Sequence, residues 1–363
     1  KGEIYKWREC KDPDSIREYM SIKIPIIFDR VIEYLSDRKS KATETSGIKY
    51  YNNLLSAVIT SSKKLYNHGF KNGCMKEAET KFRSYTFISQ LNKNPNVLGV
   101  GNGVLDLSGV PKLVTGYHPY LVSRYTTTDF RPPSKDNPLL FKVFSSIRSL
   151  FPHNEEDAFT WFLFLFSTSL NGRLKACIFS ILHGGGANGK TYLLELLRNM
   201  LGDATSSGYG AKIPISYLFE KDSQSSNASP QLMPLLHSRI AYFSESEKSE
   251  VFRTKKLKLL TSQEPVPMRA NYGKQLNEVP RSNYITATNH IMSTTAVDHG
   301  FWRRIKYYTM KIKFCANPDP QNPYERKVVR EYCDKLVNDP EFLSAFMGLL
   351  TMYLFMLDCQ YGG

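Results

Sequence analysis

An α/β protein organised on a parallel sheet, with a mainly helical N-terminal region and a helical C-terminal segment, is the fold class this sequence predicts. Three observations carry that expectation. Residues 176–182 (ACIFSIL) are a short continuous apolar run, as expected for a strand buried on both faces of a sheet. Two similar runs, 240–243 and 284–287, follow with helical texture between them, and strands alternating with helices build parallel sheets. A glycine-rich octapeptide, 184–191, stands between the first run and an apolar helix predicted over 192–200.

In chain order, the region from about Pro25 to Asn92 is charged and helical, with one apolar stripe at Ile26, Ile27, Val31, Ile32 and Leu35 and another at Tyr50, Leu54, Leu55, Val58 and Ile59. Residues 97–107 (VLGVGNGVLDL) alternate around a Gly-Asn-Gly turn and predict a hairpin. The Pro-rich stretch 131–138 reads as a domain boundary. The segments 139–151 and 158–170 predict two packed helices, with Trp161, Phe162, Phe164 and Phe166 toward a core. The expected domains are 1–135, helical and hairpin; 136–316, the sheet; and 317–363, helical. An uncharged stretch, 342–357, contains Ser344, Gly348 and Thr351, and is shorter than the roughly 20 residues of a membrane span, so it predicts a buried helix and no membrane partner.

Composition narrows the function classes. The chain has 363 residues, 41% of them hydrophobic, which suits about two domains and excludes a disordered chain. Lys plus Arg number 48 against 34 for Asp plus Glu, and the formal charge of +14 predicts a polyanionic partner. The six cysteines are dispersed, with no CxxC pair and no histidine at ligand spacing, so neither a disulfide framework nor a zinc site is expected, and a reducing intracellular compartment is. No secretory signal is present, and the opening Lys1 predicts a piece of a longer protein.

The octapeptide Gly184, Gly185, Gly186, Ala187, Asn188, Gly189, Lys190, Thr191 matches GxxxxGK(S/T) at every fixed position. Glycines let such a loop wrap backbone N–H groups around phosphates, the helix N-terminus adds its positive end, the lysine reaches the outer phosphates and the threonine hydroxyl ligates magnesium. ATP and Mg²⁺ are therefore the expected ligands. The second run leads to Glu245, placed to hold the metal with Thr191 and to activate water, with Glu247 in the same orientation as a second candidate. The third run ends at Asn289, whose amide suits a γ-phosphate and a lytic water, although asparagine also simply favours turns. Arg303 and Arg304 supply guanidiniums suited to a transferring phosphoryl group, while paired arginines elsewhere are usually surface ion-pairing groups. Residues 266–276 predict a hairpin with Asn271 to Lys274 at its tip, where Tyr272 and Lys274 are candidates for gripping a sugar-phosphate backbone. The cluster Arg253, Lys255, Lys256 and Lys258 reads as a solvated helix face.

The order of these motifs resembles the superfamily 3 helicases, most closely the primase-helicases of poxviruses, asfarviruses and related large DNA viruses. The resemblance rests on NGVLDL at 102–107, GGGANGKT at 184–191, residues 239–247, LKLLTSQEPVPMR at 257–269, TATN at 286–289 and WRRI at 302–305. It implies an AAA+-like P-loop ATPase core working as a homo-hexamer, with Arg304 reaching a neighbour's nucleotide, hairpins lining a channel for single-stranded DNA, and a primase half upstream. Ser244 stands where relatives often carry a second acid, which leaves the division of roles between Glu245 and Glu247 open. The expected function is ATP-dependent unwinding of single-stranded or forked DNA with other viral replication proteins, at replication sites in host cytoplasm. A double-strand packaging motor and a nucleotide-dependent DNA-binding scaffold are the alternatives.

Overall fold

The computed structural model describes residues 7, 14–116, 119–219, 230–243, 251–269, 273, 275–290, 293–294 and 298–361. The chain divides into two compact units, 8–89 and the remainder. The first contains α1 (Asp14–Ser40), α2 (Thr45–Lys64) and α3 (His68–Lys81). Helix α1 packs along α2 and is tied to α3 by Arg17, whose Nε and Nη2 donate to Asn72 Oδ1 at 3.1 and 2.9 Å. Asn67 caps α3 by accepting from Phe70 N. The stripe predicted along α1 is largely solvent-facing: Ile26, Ile27 and Val31 are exposed and only Leu35 of that set is buried.

The second unit begins with an antiparallel sheet of β1 (Val97–Val100), β2 (Gly103–Asp106) and β3 (Lys112–Val114). Then come α4 (Pro138–Arg148), α5 (Glu156–Ser167), β4 (Phe179–His183), α6 (Lys190–Leu201), β5 (Gly210–Ile213), β6 (Ile240–Phe243) and α7 (Thr254–Leu260). The unit closes with β7 (Val266–Arg269), β8 (Gln275–Glu278), β9 (Asn283–Thr288), β10 (Ile305–Thr309), β11 (Lys313–Cys315), β12 (Glu325–Lys327) and α8 (Pro340–Tyr361).

Five strands form one wholly parallel sheet in the order β10-β4-β9-β6-β5. Both faces are covered, which is why its strands read as continuous apolar runs. Leu182, Ile240, Ile285 and Ala287 join the core beneath α4, α5, α6 and α8, while Phe179, Ile181, Phe243 and Tyr284 join a second core with Leu257, Leu260 and Phe301. Strand β4 starts at Phe179 rather than 176, because Lys175 is buried just before it and Ile178 N turns back to Ala176 O. In α5, Phe162 and Phe166 face the core as expected, joined by Phe159, whereas Trp161 and Phe164 are only half-buried. Helix α8 is long and apolar enough to cross a membrane, but Phe342, Phe346, Met347 and Leu350 are buried where it packs on α4, α5 and α6.

The division between units falls after Ser89, not at the Pro-rich stretch that the sequence suggested. The reason is packing: Leu98, Val100, Leu105, Leu107 and Phe130 belong to the same core as α4–α6. Tyr209, immediately before β5, accepts from Gly99 N and donates to Arg124 O, which fastens the small sheet to the large one.

Candidate functional site

The octapeptide lies at the carboxyl end of strand β4, between its neighbours β10 and β9, and leads into α6. Gly186 (φ 108°), Ala187 (φ 50°) and Gly189 (φ 80°) take left-handed conformations that wrap the loop. At Gly189 a side chain is excluded twice over, since a Cβ there would stand 2.4 Å from Leu150 Cδ2. A Cβ on Gly185 or Gly186 would meet nothing within 4 Å, so that side of the loop is open. The Asn188 side chain is a strut: its Nδ2 donates to Met310 O (3.1 Å) and Ile312 O (2.7 Å), and its Oδ1 accepts from Gly186 N (2.9 Å). Gly184 N donates to Thr288 O and Phe314 N to Ala187 O, which anchors the loop on both flanks.

Lys190 is buried, and its Nζ donates to Gly184 O at 2.8 Å and lies 3.4 Å from Asn188 Oδ1, which holds the ammonium at the loop. Thr191 is exposed on the first turn of α6. Burial, then the charge of Lys190 and His290, lowers the pKa of His183 at the end of β4, so its imidazole is held neutral beside the loop. Loop, helix start, lysine and hydroxyl make a cradle suited to a polyphosphate. Among the described residues no cluster of three or more His, Cys, Asp or Glu could hold a metal by itself. Thr191 as a single protein oxygen beside a phosphate cradle still suits magnesium, which keeps several waters and shares its sphere with phosphates.

Asn289 is exposed and directly follows Thr288, which lies level with His183 in the parallel register, so β9 delivers Asn289 to the loop side of the sheet. Arg304 is placed at the opposite edge. Its carbonyl accepts from Phe179 N at the start of β4, about 16 Å of strand away from the loop at the usual rise per residue. Its Nη1 donates to Gly300 O at 2.5 Å, while Arg303 is exposed. Within one chain, therefore, neither arginine reaches the loop. Strands β7 and β8 form the expected hairpin, with Arg269 opposite Gln275 and Arg269 Nε donating to Gly273 O across the tip. Tyr272 and Lys274 lie outside the described residues, as do Glu245 and Glu247 beyond β6.

Sequence reasoning missed the cavity that adjoins the loop. It measures about 360 Å³ and is walled by Leu150, Tyr192, Phe314, Val328, Val329 and Tyr332, with Ala187 and Gly189 at its rim. Its far wall comes from the parallel pair β11–β12, fixed by Arg326, which donates to Ser149 O and Phe151 O at the end of α4. Only the tertiary fold brings these positions together, and no local pattern marks them.

Residues 2–146 match the family described as D5 N terminal like. The whole chain is 35% identical to a protein of African swine fever virus named as a primase, and spans 37% of that protein's length. A protein of Acanthamoeba polyphaga mimivirus named as a helicase is 28% identical over 297 residues, 80% of this chain and 30% of the mimivirus protein. Among solved structures, the NrS-1 C terminal region aligns with a TM-score of 0.43 at 15% identity, covering 63% of this chain and 50% of that one. The JCV helicase aligns with a TM-score of 0.33 at 11% identity, covering 60% of this chain and 53% of that one.

Proposed function

We propose that this chain is the ATP-driven helicase part of a viral replication primase-helicase, of the superfamily 3 type, built on an AAA+-like core. The observation that carries the reading is the GGGANGKT loop at the carboxyl end of an interior strand, β4, of a parallel sheet, with Asn289 following the adjacent strand on the same side. Along the chain the sheet order reads fifth, first, fourth, third, second, which places the loop strand between the strand carrying Asn289 and the strand following Arg304. The viral primase and helicase relatives support the same reading, as does the basic charge of +14 for a partner rich in phosphates.

On this reading the loop amides and Lys190 bind the ATP phosphates, and Asn289 orients against the γ-phosphate. Thr191 and Glu245 would hold magnesium, which neutralises charge on the phosphates. Glu245, or Glu247 in its place, takes the proton of the attacking water. The placement of Arg304 at the far edge supports a finger acting on a neighbouring subunit of a homo-hexameric ring, and the β7–β8 hairpin, with Tyr272 and Lys274, contacts single-stranded DNA.

ATP hydrolysis with and without single-stranded DNA, for the unmodified chain and Lys190→Ala, tests the proposal. DNA-stimulated turnover that falls by about 10²-fold or more in the variant is the expected result, since the lysine acts on the charge that develops during phosphoryl transfer. Nucleotide binding without hydrolysis in the unmodified chain would instead favour the scaffold alternative.

A further inference from the structure

A second cavity, of about 190 Å³, lies at the amino ends of the strands, between the segment 92–97, the turn 235–239 and the residues 277–281 that leave the β8 strand. It is distinct from the loop, because Arg239 on its wall immediately precedes β6 whereas the loop follows the carboxyl end of β4. Its charge is out of balance. Arg239 is 6% exposed, its Nε has no hydrogen-bond partner, and its Nη2 makes only a 3.3 Å contact to Val97 O. Arg281 Nη1 donates to Gly172 O, and the buried Lys175 donates to Thr168 O, Asn171 O and Asn171 Oδ1, with burial and then the neighbouring arginines holding its pKa well below that of an ordinary lysine. Arg124 donates to the carbonyls of Ala204 and Gly208.

None of the three arginines forms an ion pair among the described residues. The nearby carboxylates Glu278 and Asp358 are engaged by Lys93 and Arg173. Burial, and then the neighbouring guanidiniums of Arg281 and Arg124, push Arg239 down to about 10 despite a favourable contribution from Tyr209. Burial, helped by Arg124 and Lys93, pushes His237 on the same wall down to about 4. The Arg239 guanidinium also lies over the Tyr209 ring at 5.6 Å, and Glu278, already paired with Lys93, is the one carboxylate on the cavity wall among the described residues. Buried guanidiniums without an ion pair of their own are costly, and a counter-ion in the cavity lowers that cost.

We propose that this cavity is a second anion site that takes a phosphate group on the guanidiniums of Arg239 and Arg281. Planar guanidiniums match phosphate oxygens in pairs. The volume is several times the ~30 Å³ share of one water, so it admits a tetrahedral anion with its waters, yet it falls below the ~300 Å³ where pockets for whole drug-sized ligands begin. Asn277 and Glu278 of β8 line the cavity, so an occupant touches the base of the hairpin. The inference stands whether or not the loop hydrolyses ATP.

Thermal unfolding with inorganic phosphate, against chloride at the same ionic strength, reads the site directly. Phosphate raises the midpoint of Lys190→Ala, whose loop is impaired, and this shift disappears in the double variant Lys190→Ala with Arg281→Gln. No shift in Lys190→Ala, or an equal shift in the double variant, overturns the proposal. Tungstate soaked into crystals of the unmodified chain gives a readout that needs no variant to fold: anomalous density on Arg239 and Arg281 supports the site, and density confined to the loop overturns it. A 5′-phosphorylated oligothymidylate that displaces phosphate, where its 5′-hydroxyl counterpart does not, assigns the site to a strand end, and displacement by neither assigns it to a free anion.

Discussion

Asn188 and His237 illustrate how much a residue's role depends on surroundings that its letter does not disclose. Asn188 stands inside the phosphate-loop motif and reads there as a ligand-binding position, yet its side chain spends its hydrogen bonds on Gly186, Met310 and Ile312 and so shapes the loop from behind. His237 attracts no notice in the sequence, but it takes a positive φ of 63° and is held neutral by burial among cations. A histidine in the unfolded chain binds a proton below about 6.5, and the folded one only below about 4, so between these values the unfolded state carries the extra proton. Stability contributed by this group is therefore complete above about pH 6.5 and is lost as pH falls toward 4, by up to roughly 3 kcal/mol. His237→Asn keeps a residue tolerant of the left-handed backbone. Urea midpoints in phosphate-free buffer at pH 7 and pH 4.5 should therefore separate less in this variant than in the unmodified chain. Equal separation would mean His237 does not titrate as described.

Elements were legible where burial imposes a pattern. The strands β4, β6 and β9 are covered on both faces, so each left an apolar run, and the glycine-rich turn between β4 and α6 fixed the phase of the chain there. Strand β5 was not visible, because GAKI is short, opens on glycine and exposes Lys212 at the sheet edge. The small sheet β1–β3 was visible as a hairpin, but its allegiance to the larger core was not, since that depends on Phe130 and Tyr209 meeting it from far along the chain. The positions of the loop, Lys190 and Asn289 at the carboxyl ends of adjacent strands were readable from motif and strand order, whereas the walls of both cavities come from segments distant in sequence. Helix α8 is an element whose composition suits a membrane and whose packing suits a core. Phe346 is fully buried, so Phe346→Ala should lower unfolding stability by about 3–5 kcal/mol in denaturant titrations. A loss below about 1 kcal/mol would show that the helix is not packed as described.

At the scale of the whole molecule, the central relation is between the two edges of one parallel sheet. The loop, Lys190 and Asn289 stand at the carboxyl edge, and Arg304 stands at the amino edge beside Phe179. On the proposed reading a head-to-tail ring would bring the Arg304 end of one subunit to the loop of the next, since within one chain the two lie at opposite ends of β4. The measurement that tests this most directly is ATP hydrolysis by an equimolar mixture of Lys190→Ala and Arg304→Ala chains, assembled together with single-stranded DNA. Each variant alone should be inactive. In the mixture, random assembly around a ring makes about one interface in four with both an intact loop and an intact arginine, so the account predicts recovery to about a quarter of the unmodified rate. A mixture as inactive as its components, or an Arg304→Ala chain that hydrolyses ATP normally by itself, would contradict a site shared between subunits.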